Sequence, residues 1–113
     1  MAEGIDTAAH EGAIAAGGRT IAVYGTGITN LYPKSNGMLA QRIAKHGAAV
    51  SQFLPRQHQT RWTFPVRNVV TSGLSVGTVV VEAGQTSGAK LQAHDALRHG
   101  KRCLLYTSDA ADE

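Results

Sequence analysis

The sequence is short of several things, and each shortage narrows the options. It has a single cysteine, Cys103, so no internal disulfide can form, and the expectation is a cytoplasmic chain. No apolar run reaches the roughly 18 residues that a membrane span requires, and no basic-then-apolar leader pattern is visible, so no membrane partner is expected. Aromatic residues make up only 5% of the chain, which speaks against a thick aromatic core. The 13 glycines point instead to short connections and close backbone packing. The scarcity that says most about function is of negative charge. From Gly12 to Val81 there is no carboxylate, while Arg19, Lys34, Arg42, Lys45, Arg56, Arg61 and Arg67 all fall there. A polyanion such as nucleic acid meets little repulsion along such a segment. The plainer alternative is a set of solvated helix faces and loop ends.

What is present reads as helices alternating with short apolar runs. Asp6 can cap a helix from about Thr7 to Ala16, stopped by Gly17-Gly18. Thr20 to Tyr24 follows as a strand apolar enough to be buried on both sides. Ser35 can cap a helix through His46, with Met38, Leu39, Ile43 and Ala44 inward and Gly47 at its end. Ala48 to Gln52 is a short strand, and Phe53 to Trp62 an irregular basic loop. Thr63-Phe64-Pro65 opens a helix to about Ser75, with Pro65 near the first turn, where its missing amide costs little. Thr78 to Val81 is the clearest buried strand. Ser87-Gly88 opens a helix to about His99, with Leu91, Ala96 and Leu97 inward, and Arg102 to Tyr106 is the last strand.

Four helices interleaved with four strands predict an α/β fold, a Rossmann-like parallel sheet with helices on both faces. The chain opens on a helix, so the expected fold is truncated at its N-terminal side. Residues 1–106 read as a partial domain, and the polar stretch 107–113 as an unrelated tail.

Three segments can carry chemistry. Val23-Tyr24-Gly25-Thr26-Gly27 resembles the start of a dinucleotide fingerprint, but Asn30 stands where the third glycine belongs and no acid follows about twenty residues on. The pattern argues against a dehydrogenase. The Gly25-Thr26-Gly27 turn can still present backbone amides to a phosphate, or it can be a tight turn needed only for packing. Phe64-Pro65-Val66-Arg67-Asn68 is the most specific stretch. Arg67 can grip a phosphate with two N–H groups near a helix start, and Asn68 can donate to phosphate or base. Phe64 or Trp62 can stack on an unpaired base, although Phe64 can equally staple the helix start into the core. Thr86-Ser87-Gly88 is a third strand-to-helix turn, where Ser87 caps the helix and touches ligand only secondarily. Glu82 reads as an acceptor for loop amides rather than a general base.

Catalytic groupings are weak, and no catalytic residue, metal site or cofactor is expected. His10, His46, His58, His94 and His99 show no His-x-x-x-His spacing, and one cysteine leaves no zinc cluster. His94 and Asp95 point to different helix faces. Cys103, on a strand with no adjacent base, reads as inert.

Several blocks in order resemble the DNA-processing A (DprA/Smf) family. These are Gly4 to His10, Ala15 to Val23, Gly25-Thr26-Gly27, and Tyr32-Pro33 with Asn36. Phe64-Pro65 with Arg67-Asn68, Ser72 to Ser75, Val80 to Ala83 and Ser87-Gly88-Ala89 continue the series. The resemblance covers about residues 2 to 102. It implies a Rossmann-type fold and a protein, not an enzyme, that binds single-stranded DNA during natural transformation. It further implies help in loading a RecA-type recombinase, and a homodimer in the full-length protein. By the same resemblance, phosphate binding falls on Arg67 and Asn68, with Gly25 to Gly27 and Ser87-Gly88 as the other walls. Two departures stand out: the family's glycine-serine-arginine loop would lie upstream of Met1, and Ser87-Gly88-Ala89-Lys90 replaces the commoner serine-glycine-serine form.

The alternative is a nucleotide-binding or phosphoribohydrolase protein of the related lysine-decarboxylase-like group. Its Pro-Gly-Gly-x-Gly-Thr run should stand near residues 84–92, where Gly84-Gln85-Thr86-Ser87-Gly88 is found instead.

Overall fold

A computed structural model describes residues 4–31, 34–81 and 88–105. Its elements alternate as expected: α1 (Ile5–Ala15), β1 (Ile21–Val23), a short 3-10 turn (Lys34–Asn36), α2 (Gly37–His46), β2 (Ala48–Val50), α3 (Thr63–Leu74), β3 (Gly77–Val80), α4 (Gly88–Arg98) and β4 (Arg102–Leu105). The chain divides into two compact units, residues 1–63 and 64–113.

In the first unit β1 and β2 pair in parallel, Ile21 opposite Ala48 and Val23 opposite Val50. A parallel pair needs a crossover, which α2 supplies. The helix packs on both strands, and α1 packs on α2. The core is small and apolar: Ala22 and Tyr24 from the strand side meet Leu39 and Ile43 from α2, with Ile14, Leu31, Ala40 and Ala49 against them. Leu39 and Ile43 lie one turn apart, so they share one helix face. Burying each contributes on the order of 1.5–3 kcal/mol.

The second unit has a different interior. Here β3 pairs in parallel with β4, Gly77 opposite Arg102 and Val80 opposite Leu105, and α4 packs on both. Val80 and Ala96 are buried, but so are Asn68, Ser72 and Asp95. Asn68 and Ser72 are one turn apart on α3, whose inward face is therefore polar, while Val66, Val69 and Leu74 are exposed. Buried polar groups require partners, and Ser72 has one: its hydroxyl lies 2.8 Å from His99 Nδ1. The Lys101 ammonium donates to the carbonyls of Ser72 and Gly73 at 2.8 and 2.7 Å, satisfying the open carbonyl end of α3 and complementing its dipole. Buried Asp95 pairs with Arg98 one turn on.

Several details differ from the sequence expectation. Gly4, not Asp6, precedes the first turn of α1, and Asp6 lies within it, where its charge favours the positive helix end. Asn36 rather than Ser35 stands at the cap of α2, because a 3-10 turn comes first. Met38 is 82% exposed, and Ala44, Leu91 and Leu97 also face solvent; the inward stripes are narrower than the apolar residue types suggested. On α4 the inward positions are Asp95 and Ala96. The strands are not buried on both sides either: Ile21 is 55% and Val79 56% exposed. Side chains alternate across a strand, and each short sheet buries only the side carrying Ala22 or Val80. Gly17 and Gly100 do adopt positive φ and end α1 and α4 as expected.

Candidate nucleic-acid interface

In the first unit, the Gly25-Thr26-Gly27 turn leaves the carboxyl end of β1 and is buried throughout. It is occupied by the chain itself. Tyr24 continues the ladder by donating to the Val50 carbonyl at 2.9 Å. The Ser51 hydroxyl donates to the Thr26 carbonyl at 2.6 Å, and the Thr26 hydroxyl to the Gly27 carbonyl at 3.2 Å. The Gly27 amide donates to the Gln57 carbonyl at 2.9 Å. A Cβ on Gly27 would overlap the carbonyl oxygens of Leu54 and Pro55, so only glycine lets the 51–58 loop approach this closely.

The clasp continues through Thr29 and Asn30. The Thr29 amide donates to the Pro55 carbonyl at 3.0 Å. Asn30 Nδ2 reaches the Gln57 carbonyl at 3.3 Å and His58 Nδ1 at 2.8 Å. Asn30 is thus where it breaks the dinucleotide fingerprint because its amide fastens a loop. The loop so held carries Arg56 and His58 outward.

The chain then reaches α3 through a reciprocal cap. The Thr60 amide donates to Thr63 Oγ1 at 3.0 Å, the Trp62 amide donates to Thr60 Oγ1 at 3.2 Å, and the Thr63 hydroxyl donates to the Thr60 carbonyl at 3.0 Å. This is the capping-box principle with threonine at both ends. It fixes the backbone that carries Arg61 and Trp62, whose guanidinium carbon lies 5.3 Å from the indole centroid, within cation–π range.

In the second unit, α3 brings together three of the residues singled out from sequence. The Arg67 guanidinium lies 5.5 Å from the centre of the Phe64 ring, one turn earlier. Arg67 Nε donates to Asn68 Oδ1 at 3.0 Å. Asn68 is buried, Phe64 half-buried and Arg67 partly exposed. The guanidinium is therefore held by ring and amide, near the start of a helix whose first turn has no acid. A planar cation held in this way suits a two-pronged contact with phosphate.

Gly88 is the first residue of α4. Ser87, Thr86 and Glu82 lie outside the described residues, as does the 107–113 stretch. Gly25 to Gly27 belong to the first unit, and Phe64, Arg67 and Asn68 to the second. Sequence reasoning did not anticipate the Asn30–Gln57–His58 clasp, the Thr60–Thr63 cap or the Ser72–His99–Lys101 network. The threonine pair, spaced three residues apart ahead of a helix, was the one recoverable signal.

Among the described residues no group of three His, Cys, Asp or Glu side chains could hold a metal ion, and no helix is long and apolar enough to cross a membrane.

The chain is 41% identical to the DNA processing protein DprA of Bacillus subtilis over 99% of its length. It is 40% identical to that of Streptococcus pneumoniae, again over 99%, and 39% identical to the protein Smf of Escherichia coli over 89%. It spans 38%, 40% and 27% of those relatives' own lengths. The X-ray structure of DNA processing protein A from Streptococcus pneumoniae superimposes with a TM-score of 0.83 at 37% identity, covering 92% of this chain and 37% of that one. A match of this extent places the chain in the Rossmann-like α/β class. Residues 1–113 match the family described as DNA recombination-mediator protein A, and with relatives of this similarity along almost its whole length, the chain belongs to that family.

Proposed function

We propose that this chain contributes a single-stranded-DNA-binding surface to a DNA-processing protein, with Arg67 as its principal phosphate contact. The observation that carries the reading is the oriented guanidinium: Arg67 lies against Phe64 and is hydrogen-bonded to Asn68, on a stretch of seventy residues without a carboxylate. Asn68 serves chiefly by orienting Arg67. The Gly25-Thr26-Gly27 turn serves by holding the basic 51–58 loop, and Ser87 and Gly88 are further phosphate contacts, Gly88 being the first residue of α4. The relatives' names, DNA processing protein and DNA recombination-mediator protein, support a role in DNA processing and recombination, and natural transformation is the setting this reading assigns to it. A RecA-type recombinase and a second copy of the longer protein are the partners that go with that role. A binding protein rather than an enzyme, working in the cytoplasm, completes the reading.

Fluorescence anisotropy with a labelled single-stranded oligonucleotide, at two salt concentrations, tests it. The parent should lose affinity steeply with salt as counterions are released, and Arg67→Ala should bind about tenfold more weakly with a salt slope shallower by about one. Equal affinity and equal slope in the two proteins would remove Arg67 from the site.

A further inference from the structure

Two aromatic residues near the start of α3 could meet a base, and the structure separates them. Phe64 is half-buried, and the Arg67 guanidinium lies over its ring. Trp62 is 68% exposed. An indole in water without a packing role is a costly way to build a surface, since large apolar side chains gain by being covered. Its backbone is nonetheless fixed, because its amide is bonded by Thr60 Oγ1 and it sits inside the reciprocal Thr60–Thr63 cap. Its neighbour Arg61 holds a guanidinium 5.3 Å from the ring centroid. The result is a flat, electron-rich ring on a rigid backbone with a cation beside it.

The surroundings select the occupant. Arg56 and Arg61 and the loop imidazole of His58 lie on the same exposed loop, and no carboxylate occurs between Gly12 and Val81. An acidic phosphodiester with a planar base attached is complementary to both features at once. A base stacks on the ring irrespective of sequence, and the phosphate next to it meets the guanidinium. A paired base has its faces already covered by neighbours in the duplex, so the platform selects unpaired strands.

We propose that Trp62 is a stacking platform for one unpaired nucleobase, with Arg61 as the cation that neutralises the adjoining phosphate. This rests on the reading of the chain as a binder of single-stranded DNA, and it adds a base contact separate from the Arg67 phosphate contact.

Trp62 is the only tryptophan, so the emission of the 113-residue chain reports on it directly. The probes are a single-stranded oligothymidylate and an abasic phosphodiester of the same length. The thymidylate should quench the emission and the abasic strand should leave it nearly unchanged. Trp62→Ala should weaken thymidylate binding roughly five- to hundredfold yet leave abasic binding unaltered, and Trp62→Phe should restore most of the loss. Truncating an exposed side chain leaves the fold intact, which the circular dichroism of each variant checks.

If the parent binds both strands equally and its emission does not move, the platform is overturned while the DNA-binding reading stands. If the parent binds neither strand, the reading itself fails and the platform with it.

Discussion

The glycine turn at the end of β1 and the start of α3 look alike in sequence terms, since both are turns with a claim on phosphate. In the structure they are used in opposite ways. The turn is tied to the chain's own 51–58 loop: the Gly27 amide donates to the Gln57 carbonyl, the Thr26 carbonyl accepts from the Ser51 hydroxyl, and Thr29 and Asn30 fasten the same loop. At the start of α3 the backbone forms a local cap, Arg61 lies against the Trp62 ring just ahead of the helix, and Arg67 lies against the Phe64 ring and donates to Asn68. Glycine at position 27 is thus dictated by space, while just ahead of α3 Arg61 and Trp62 are exposed. A glycine-rich turn after a strand is a ligand cradle only where its amides are not already bonded to neighbouring backbone.

Substitutions should separate the two regions cleanly. The largest effect is expected at Gly27, where Gly27→Ala forces a methyl group into the Leu54 and Pro55 carbonyls. Backbone atoms cannot yield as a flexible side chain does, so urea denaturation should show a loss of about 3 kcal/mol or more. A loss below about 1 kcal/mol would mean that the loop is not seated as described.

Asn30→Ala removes two hydrogen bonds, to Gln57 and His58. It should cost about 1–2 kcal/mol by the same measurement, loosening the loop without altering α3. Thr60→Ala acts on the other side of the comparison. Loss of the cap should cost about 1 kcal/mol, and the anisotropy of Trp62 emission should fall as the backbone beneath it gains freedom. An unchanged anisotropy would show that the cap does not hold the indole.

The smallest effect is expected from pH. Burial lowers the pKa of His10, with Asp6 pulling it back up in part, and its Nδ1 lies 2.7 Å from Thr20 Oγ1. The folded chain therefore resists a proton that the unfolded chain accepts near pH 6.5. The stabilisation is fully present above that value and declines as pH falls through the lower folded pKa. Urea midpoints measured from pH 7.5 downward should fall less in His10→Gln than in the parent, and parallel curves would exclude His10 as the cause.

Much of the architecture was legible because helix periodicity and glycine stops act locally. The order of helices and strands follows the alternation of apolar runs with Gly17, Gly47 and Gly100, and the Leu39–Ile43 stripe predicts its own burial. The second unit was harder to read. Its interior holds Asn68, Ser72 and Asp95, residues that apolar patterning assigns to solvent, and they are buried because each has a partner: Arg67, His99 and Arg98 in turn. The last two pairings and the Lys101 contact involve α4 and the turn after it, and the Ser72–His99 contact joins positions 27 apart in sequence. No local rule anticipates that.

At the candidate site, the grouping of Phe64, Arg67 and Asn68 follows from helical spacing and was visible beforehand. The occupation of the glycine turn was not, because it depends on a loop thirty residues downstream.

The central claim is that single-stranded DNA meets the start of α3 and not the amides of the glycine turn. Proton–nitrogen correlation spectra of the labelled chain, recorded as an unlabelled oligothymidylate is added, test it most directly. The account predicts that the largest shifts fall on residues 60–68 and on the Trp62 indole N–H, while the Gly27 amide, bonded to Gln57, stays in place. Shifts concentrated at Gly25 to Gly27, with residues 60–68 unmoved, would contradict it.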